Sequence, residues 1–353
     1  MAEVAGKRVQ ASVLQEFCGK AFKAAGVSPS DAELVSRSLI QAELRGIGSH
    51  GVMRLSTYLR KIKEGGFNLH PNVRVLRERA GTAVLEGDAG LGAVLGQKAM
   101  RLCIEKAKNT GIAAVSVRNA NHYGYAAFYG RMAVAEGMIG ITCCNTPAKM
   151  GVYGGAENLL GTNPLCIAVP ATEPFIFDGA TSVVARGKIM YYSIAGLPIP
   201  SHWACDTDGR PTTDAKVALK GVQQAFGEYK GSGIAIAVEI LSAALSGARF
   251  SYAASELFSD YEKPQGLGLF FAAFDVSAFA EPSVFRASMD ELMGKLRSSK
   301  RAVGYDEIVM PGELEARAEM KNLKEGIPLP PDLLKDMIAI AADYRLDDDP
   351  SNW

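Results

Sequence analysis

"GDAGLGAVLG" occupies Gly87–Gly96, directly after the β-prone run "TAVLEG" (82–87) and at the head of a helical pattern over 91–109. A strand, a glycine-rich turn and a helix are the opening of a Rossmann dinucleotide-binding unit, which seats pyrophosphate on the helix N-terminus. Gly90 and Gly92 supply the first two glycines of G-x-G-x-x-G, but the third falls due at Leu95, and Gly96 comes one residue late. The stretch therefore reads as tight strand-to-helix packing rather than a Rossmann phosphate loop. No G-x-x-x-x-G-K-[ST] loop and no G-x-S-x-G elbow occurs elsewhere.

Around this turn the chain changes character twice. Residues 11–24 place Val13, Leu14, Phe17 and Phe22 at helical spacing. In "SPSDAELV" (28–35), Ser28 is a ready N-cap, Pro29 suits the first helical position and acids follow in the first turn. A third helix is expected to start at Ser49, with Val52, Leu55, Tyr58, Leu59 and Ile62 on one face, and "EGGFNLHPN" (64–72) ends it. Then come short β-prone runs: 82–87, "AAVSVR" (113–118), "IGITCCN" (139–145), "LCIAVP" (165–170) and "PFIFDGA" (174–180). Helical patterns at 91–109 and 123–136 separate several of them, which indicates a sheet layered with helices. A helix over 231–246 and a strand "LGLFFAAFDV" (267–276) follow, then helices near 284–298, 312–323 and 331–344. The expected fold is α/β: a helical domain from 1–78 plus 277–353, interrupted by an α/β domain over 79–276.

Composition excludes several classes. The 353 residues are 48% apolar and 22% charged, with 38 basic against 38 acidic side chains, so no global field draws nucleic acid or a membrane surface. No apolar run approaches the roughly 20 residues of a membrane span, and the N-terminus lacks the apolar core of a signal peptide. Six cysteines without C-x-x-C spacing suit reduced thiols in a cytoplasmic protein.

The chemistry concentrates in "ELRGIGSHGVMRLSTYLRKI" (43–62). With Ser49 capping the third helix, His50 falls in its first turn, where the dipole disfavours a positive imidazole. Arg54 follows one turn on, and an arginine beside a histidine grips a carboxylate while a proton moves. A capping serine with two polar residues on a solvated face is the competing reading. Adjacent Ser49 and His50 are expected to face apart, so they form no nucleophile–base pair. His122 closes a strand-end motif in "RNANHYG" (118–124), where a turn histidine bonded to backbone is the plainer reading. "NTPAK" (145–149), "DGATSVVARGK" (178–188) and "GEYKGSG" (227–233) combine small residues, hydroxyls and cations, and Gly231 and Gly233 let backbone N–H groups approach an anion. Each is also a plausible plain turn. A metal enzyme is a rival from another class, with His50, His122 and Asp178 as two histidines and a carboxylate.

Taken together, "ELRGIGSHGVMRLSTYL", "RNANHYGYAAFYGRMAVAEGMIGITCCNTP", "LLGTNPLCIAVP", "FDGATSVVARGKI", "PTTDAKVALKG" and "YKGSGIAIAVEILSAALSGARFS" resemble, in order, the type-2 malate/L-lactate dehydrogenase family of NAD(P)-dependent oxidoreductases. That family includes ureidoglycolate, sulfolactate and 2,3-diketogulonate enzymes and cyclic-imine carboxylate reductases. The resemblance implies a non-Rossmann nicotinamide-binding domain on a mixed sheet, a helical domain from both chain ends, a homodimer, and NAD or NADP as cofactor with no metal. It places His50 at the catalytic acid/base, Ser49, Arg54 and Tyr58 along the substrate pocket, and His122 facing substrate. In the ureidoglycolate members the second histidine takes the acid/base role. Asn145, Thr146, Asp178, Gly179, Ala180, Thr181, Ser182, Arg186 and Lys230 match cofactor-contacting stretches, as do Pro311, Gly312 and Glu313 in "VMPGELE". The chain departs from the family at Glu228, where a glycine pair commonly stands, and at Gly48, commonly an aspartate. The implied activity interconverts a small 2-oxo acid and its 2-hydroxy acid; the alternative is reduction of a cyclic or N-alkyl 2-imino acid.

Overall fold

The structure, a computed structural model, describes residues 6–353. Strand β1 is Lys7–Val9, followed by helices α1 (Ala11–Ala24), α2 (Pro29–Leu44) and α3 (Arg54–Lys63). Strands β2 (Arg74–Arg79) and β3 (Thr82–Glu86), helix α4 (Gly92–Thr110), strand β4 (Ile112–Ala120), helix α5 (Ala127–Ala135) and strands β5 (Met138–Cys144), β6 (Leu165–Val169) and β7 (Phe175–Gly179) come next. After them lie α6 (Arg186–Ala195), β8 (Ala204–Cys205), α7 (Ala215–Lys220), β9 (Val222–Gln223), α8 (Tyr229–Glu239) and β10 (Leu267–Asp275). The chain ends with α9 (Pro282–Arg297), α10 (Glu313–Glu325), β11 (Ile327–Leu329) and α11 (Pro331–Asp343).

Seven strands form a mixed sheet in the order β2-β3-β4-β10-β5-β6-β7. Only β3 and β4, joined through α4, run parallel; every other neighbouring pair is antiparallel. β10 lies in the middle, and its unbroken apolar run is what a strand buried on both faces requires. The opposite kind of strand, β2, reads "RVLRER" and is exposed throughout. Its charges protect the sheet edge, and they also hide it from a search for alternating apolar residues.

The glycine-rich turn does what its failed register suggested. Gly92 begins α4, and a Cβ there would lie 2.2 Å from the Asn121 carbonyl oxygen and 2.3 Å from that of His122. The glycine lets α4 press its N-terminus onto the loop that carries His122. The chain ends meet as well: β1 pairs antiparallel with β11, and Arg45 at the end of α2 bonds Glu319 of α10 at 2.7 Å. One apolar core runs from Leu14 and Phe17 through the sheet to Ile340. The boundary expected at 78/79 falls inside β2.

Three expectations about helices need correction. The third helix starts at Arg54 rather than at Ser49; Gly48–His50 is a separate 3₁₀ turn. The helix expected from 123 starts at 127, because Gly124 takes a φ of +84° that no α-helix continues through. The helix expected over 231–246 begins at Tyr229 and loosens into a π turn at Ile240–Ala244. There β10 comes so close that a Cβ on Gly268 would lie 2.0 Å from the Ser242 carbonyl oxygen. The Ser28 cap is as expected, accepting the Asp31 N–H at 3.2 Å. All six cysteines are unpaired. Among the described residues no helix is long and apolar enough to cross a membrane.

Candidate active site

Two tight turns carry the polar cluster. In the first, Ser49 Oγ lies 3.0 Å from His50 Nδ1. Ser49 thus caps no helix, and the two neighbours do not face apart as expected; the 3₁₀ geometry turns both side chains the same way. Arg54 opens α3 and folds back, its Nε donating to the Ser49 carbonyl at 2.7 Å. Its guanidinium also lies 4.7 Å from the centre of the Phe258 ring. The Nη groups make no hydrogen bond among the described residues and remain available to a carboxylate.

The second turn follows β4. There His122 lies flat against His50, ring centres 5.6 Å apart and planes 14° from parallel. Tyr58, one turn beyond Arg54 on α3, brings its Oη to 2.6 Å from His122 Nδ1. The His122 backbone N–H donates to Gln265 Oε1 at 2.9 Å, and the Gln265 N–H donates to Asn121 Oδ1 at 2.9 Å. Ser49, His50, Arg54, Tyr58 and His122 are therefore brought into one site.

Electrostatics keep this site uncharged except at Arg54. Burial pushes the His50 imidazolium down to about 4, and the Arg54 charge pushes the same way. His50 is half-buried, with the His122 ring stacked beside it. The cause is thus desolvation and a neighbouring cation rather than a helix dipole. His122 sits well below the ordinary histidine range, from burial first and then from His50 and Arg54. Burial raises the Tyr58 phenol above its usual range, so it keeps its proton. With that proton given to His122 Nδ1, the imidazole carries its own hydrogen on Nε2.

The residues matched to cofactor-contacting stretches divide into groups. Asp178, Pro311 and Gly312 line one cavity of about 280 Å³, together with Arg45, Ile47 and Ala127. A cavity of roughly 150 Å³ already admits a benzene ring, so this one has room for a ring of that size. Asp178 accepts the Ala127 N–H at 2.7 Å, and burial raises its carboxyl to about 6. Ile47 immediately precedes the Gly48–His50 turn, so the cavity wall runs into that turn. Gly179 ends β7 and Ala180 beyond it is exposed. Thr181 and Ser182 are buried, with hydroxyls on the carbonyls of Thr162 and Val184. Thr146 accepts the Thr162 N–H at 2.9 Å through Oγ1.

Others are engaged elsewhere. Asn145 is fully buried, its amide tied to Glu239, the Arg249 carbonyl and the Gly268 N–H, so its side chain is engaged within the protein. Glu313 pairs with Arg297 and accepts the Met310 N–H. Arg186 opens α6 and donates to the Leu219 carbonyl at 2.6 Å, while its Nη1 is buried without a partner. Lys230 is exposed, inside the first turn of α8. His50, His122 and Asp178 do not converge: among the described residues no three His, Cys, Asp or Glu side chains are grouped to hold a metal ion.

The profile of the malate/L-lactate dehydrogenase family matches residues 9–338. The chain belongs to the malate/L-lactate dehydrogenase family. Within that family it is 39% identical over 341 residues to the L-sulfolactate dehydrogenase of Methanocaldococcus jannaschii, covering 96% of each chain. It is 38% identical over 343 residues to the malate dehydrogenase of Pyrococcus abyssi, covering 95% of this chain and 94% of that one. The solved sulfolactate dehydrogenase from Methanocaldococcus jannaschii superposes with a TM-score of 0.92 at 36% identity, over 98% of this chain and 99% of that one. Relatives named for NAD+ and for NADP+ are both among the matches.

Gln265, Phe258, Arg45 and Glu43 also shape this family member's site, and sequence reasoning passed over all four. The first two lie over 140 and 200 positions from the histidine and arginine they touch, and no local spacing announces such contacts. Arg45 and Glu43 stood in the quoted stretch with no role assigned to them.

Proposed function

We propose that the protein is an NAD(P)H-dependent oxidoreductase that interconverts a small 2-oxo acid and its 2-hydroxy acid, with His50 as acid/base. One observation carries this reading: two neutral imidazoles stacked beside an arginine with open Nη groups. Arg54 takes the substrate carboxylate in a forked grip. That places the C2 oxygen toward the histidines, where the Nε2–H of His122 polarises it. His50 accepts the hydroxyl proton in the oxidation direction and returns it in reduction. A carboxylate on Arg54 also offsets the charge that depresses His50, so substrate binding itself makes His50 more basic.

The nicotinamide cofactor, when bound, supplies or takes the hydride at C2. Asp178, Pro311 and Gly312 in the cavity wall would hold its nicotinamide end, and the unpartnered Arg186 Nη1 marks a donor left for an anionic group. Exposed apolar residues on α6 and α8, Ile194 at 82% and Tyr229 at 71%, support the implied homodimer. Light scattering on the eluted protein tests it.

The decisive experiment follows loss of reduced-nicotinamide absorbance with NADH and with NADPH. Pyruvate, oxaloacetate, sulfopyruvate and Δ1-piperideine-2-carboxylate serve as substrates. Turnover with a 2-oxo acid, reduced about 10²–10⁴-fold in His50→Ala, is expected. Near-parental turnover in His50→Ala moves the acid/base role to His122, and turnover confined to the imine replaces the oxo-acid reading.

A further inference from the structure

Glu43 is a buried carboxylic side chain that the proposed chemistry does not use. It stands near the end of α2 and is 8% exposed. Its Oε1 accepts the Val52 N–H at 2.8 Å, reaching across the turn that carries Ser49 and His50. Gly51 is pressed against the same carboxyl: a Cβ there would lie 2.0 Å from Glu43 Oε1 and 2.3 Å from its Cδ. The φ of Gly51 is −90°, open to any residue, so it is contact with Glu43 and not backbone strain that calls for glycine. On the other flank, a Cβ on Gly48 would meet Glu43 Oε2 at 3.5 Å. The carboxyl therefore fills the hollow of the 48–52 loop and touches both glycines that bracket Ser49 and His50. Its own segment is anchored from the far end of the chain, where Asn322 Nδ2 donates to the carbonyls of Glu43 at 3.3 Å and Leu44 at 3.0 Å.

We infer that Glu43 is a positioning residue for catalysis: its side chain is the mould on which the Gly48–Val52 loop is set, fixing the angle at which His50 meets His122. The inference rests on the reading of His50 as acid/base. An apolar side chain of equal size would fill the hollow but leave the Val52 N–H buried without a partner. A smaller one would leave the loop free to sink toward α2. Burial raises the carboxyl to about 7, with the Val52 N–H drawing it back. An acceptor oxygen is present in either form, so an amide can replace it.

Four variants test this: Glu43→Ala, Glu43→Gln, Gly51→Ala and His50→Ala. Each is measured for kcat and KM with a 2-oxo acid, and for NAD(P)H affinity by fluorescence titration. Glu43→Ala is expected to lower kcat about ten- to a hundred-fold, the range for small misplacement of a catalytic group. Its cofactor affinity should stay within about two-fold of the parent's, because the loop and not the whole domain is disturbed. Glu43→Gln should recover kcat to within about three-fold. If Glu43→Ala does not fold, Gly51→Ala carries the test, since its new methyl pushes the loop off the carboxyl; the same kcat-specific loss is expected. An unchanged kcat in Glu43→Ala, or in Gly51→Ala, overturns the inference. So does a Glu43→Gln variant as impaired as the alanine, or a loss of cofactor affinity equal to the loss of kcat. Should His50→Ala collapse while Glu43→Ala does not, only the positioning role fails; should both keep parental turnover, the acid/base reading fails with it.

Discussion

Tyr58 Oη and Nδ1 of His122 share a hydrogen bond of 2.6 Å. With the phenol as donor, the bond fixes the imidazole's tautomer and puts the remaining N–H on Nε2. It also ties α3, which carries Arg54, to the turn after β4 that carries His122. In the proposed reaction the carboxylate anchor and the polarising group are thereby held at a set separation.

Tyr58→Phe deletes that donor and keeps the ring. Tyr58 is 4% exposed, so a buried phenylalanine ring offers the abandoned Nδ1 no partner in place of the hydroxyl. We expect about 1–3 kcal/mol of lost stability from the unpaired nitrogen, and a fall in kcat as the tautomers of His122 mix. Thermal unfolding and steady-state kinetics check both. A parental kcat would mean that the tautomer of His122 does not matter to the reaction.

His50 makes a pH prediction with a definite sign. Its folded pKa, about 4, lies below the ordinary 6.5, so the unfolded chain binds more protons between those values. The stability this group confers is complete above about pH 6.5 and is lost as pH falls from there toward about 4. Glu43, raised to about 7, and Asp178, raised to about 6, act in the opposite sense, with stability falling as pH rises through their windows. The difference between parent and His50→Gln melting curves across pH 4–8 isolates the histidine. In oxidation of a 2-hydroxy acid, the acid limb that His50 gives to kcat/KM should lie well below the usual histidine value. A limb near 6.5, absent from His50→Gln, would show that the free enzyme's His50 is not depressed.

What the sequence disclosed follows from range. Ser49, His50, Arg54 and Tyr58 are near neighbours, so their association was open to a reading by spacing, and the strand–turn–helix around Gly92 carried its own signature of failed register. Local geometry was already harder. Nothing in "GIGSHGVMR" distinguishes a 3₁₀ turn ahead of the helix from a helix capped by Ser49, because both use serine and glycine in the same places. Pairing between distant segments was closed to sequence reasoning. β1 and β11 are three residues each, and β2 has lost its apolar alternation to the charges that guard an edge. Gln265 meets His122, and Phe258 meets Arg54, only because β10 threads the middle of the sheet and delivers its leading segment to the site.

Lys230 tests where the dinucleotide runs. It lies exposed in the first turn of α8, where free N–H groups and the dipole favour an anion. The alternative is a surface lysine of no consequence. Lys230→Ala should weaken NAD(P)H binding by about 1–3 kcal/mol with no change in melting temperature. Fluorescence titration reads this without substrate, and equal affinities would take the cofactor away from the "YKGSG" segment.

Lys61 supplies the last prediction. It is fully buried on α3, and its Nζ donates to the carbonyls of Asp260 at 2.8 Å and Lys263 at 2.5 Å. Its neighbour Arg60 lies 3.9 Å over the Tyr261 ring, and Arg54 on the same helix covers Phe258. Three cations of one helix therefore grip the segment that leads through Gln265 into β10. A buried ammonium bonded to two carbonyls is costly to remove, because each carbonyl left unpaired costs about 1–3 kcal/mol. Lys61→Met preserves most of the volume and removes only the donors. We expect a lower melting temperature together with a raised KM, since the released segment takes Phe258 away from the face of Arg54. kcat should fall too, as Gln265 loosens its hold on the His122 backbone. A Lys61→Met protein that melts with the parent would show that the segment stays in place without the clip. One that melts early but keeps parental KM and kcat would show that the clip serves stability alone and that Phe258 and Gln265 do not govern the site.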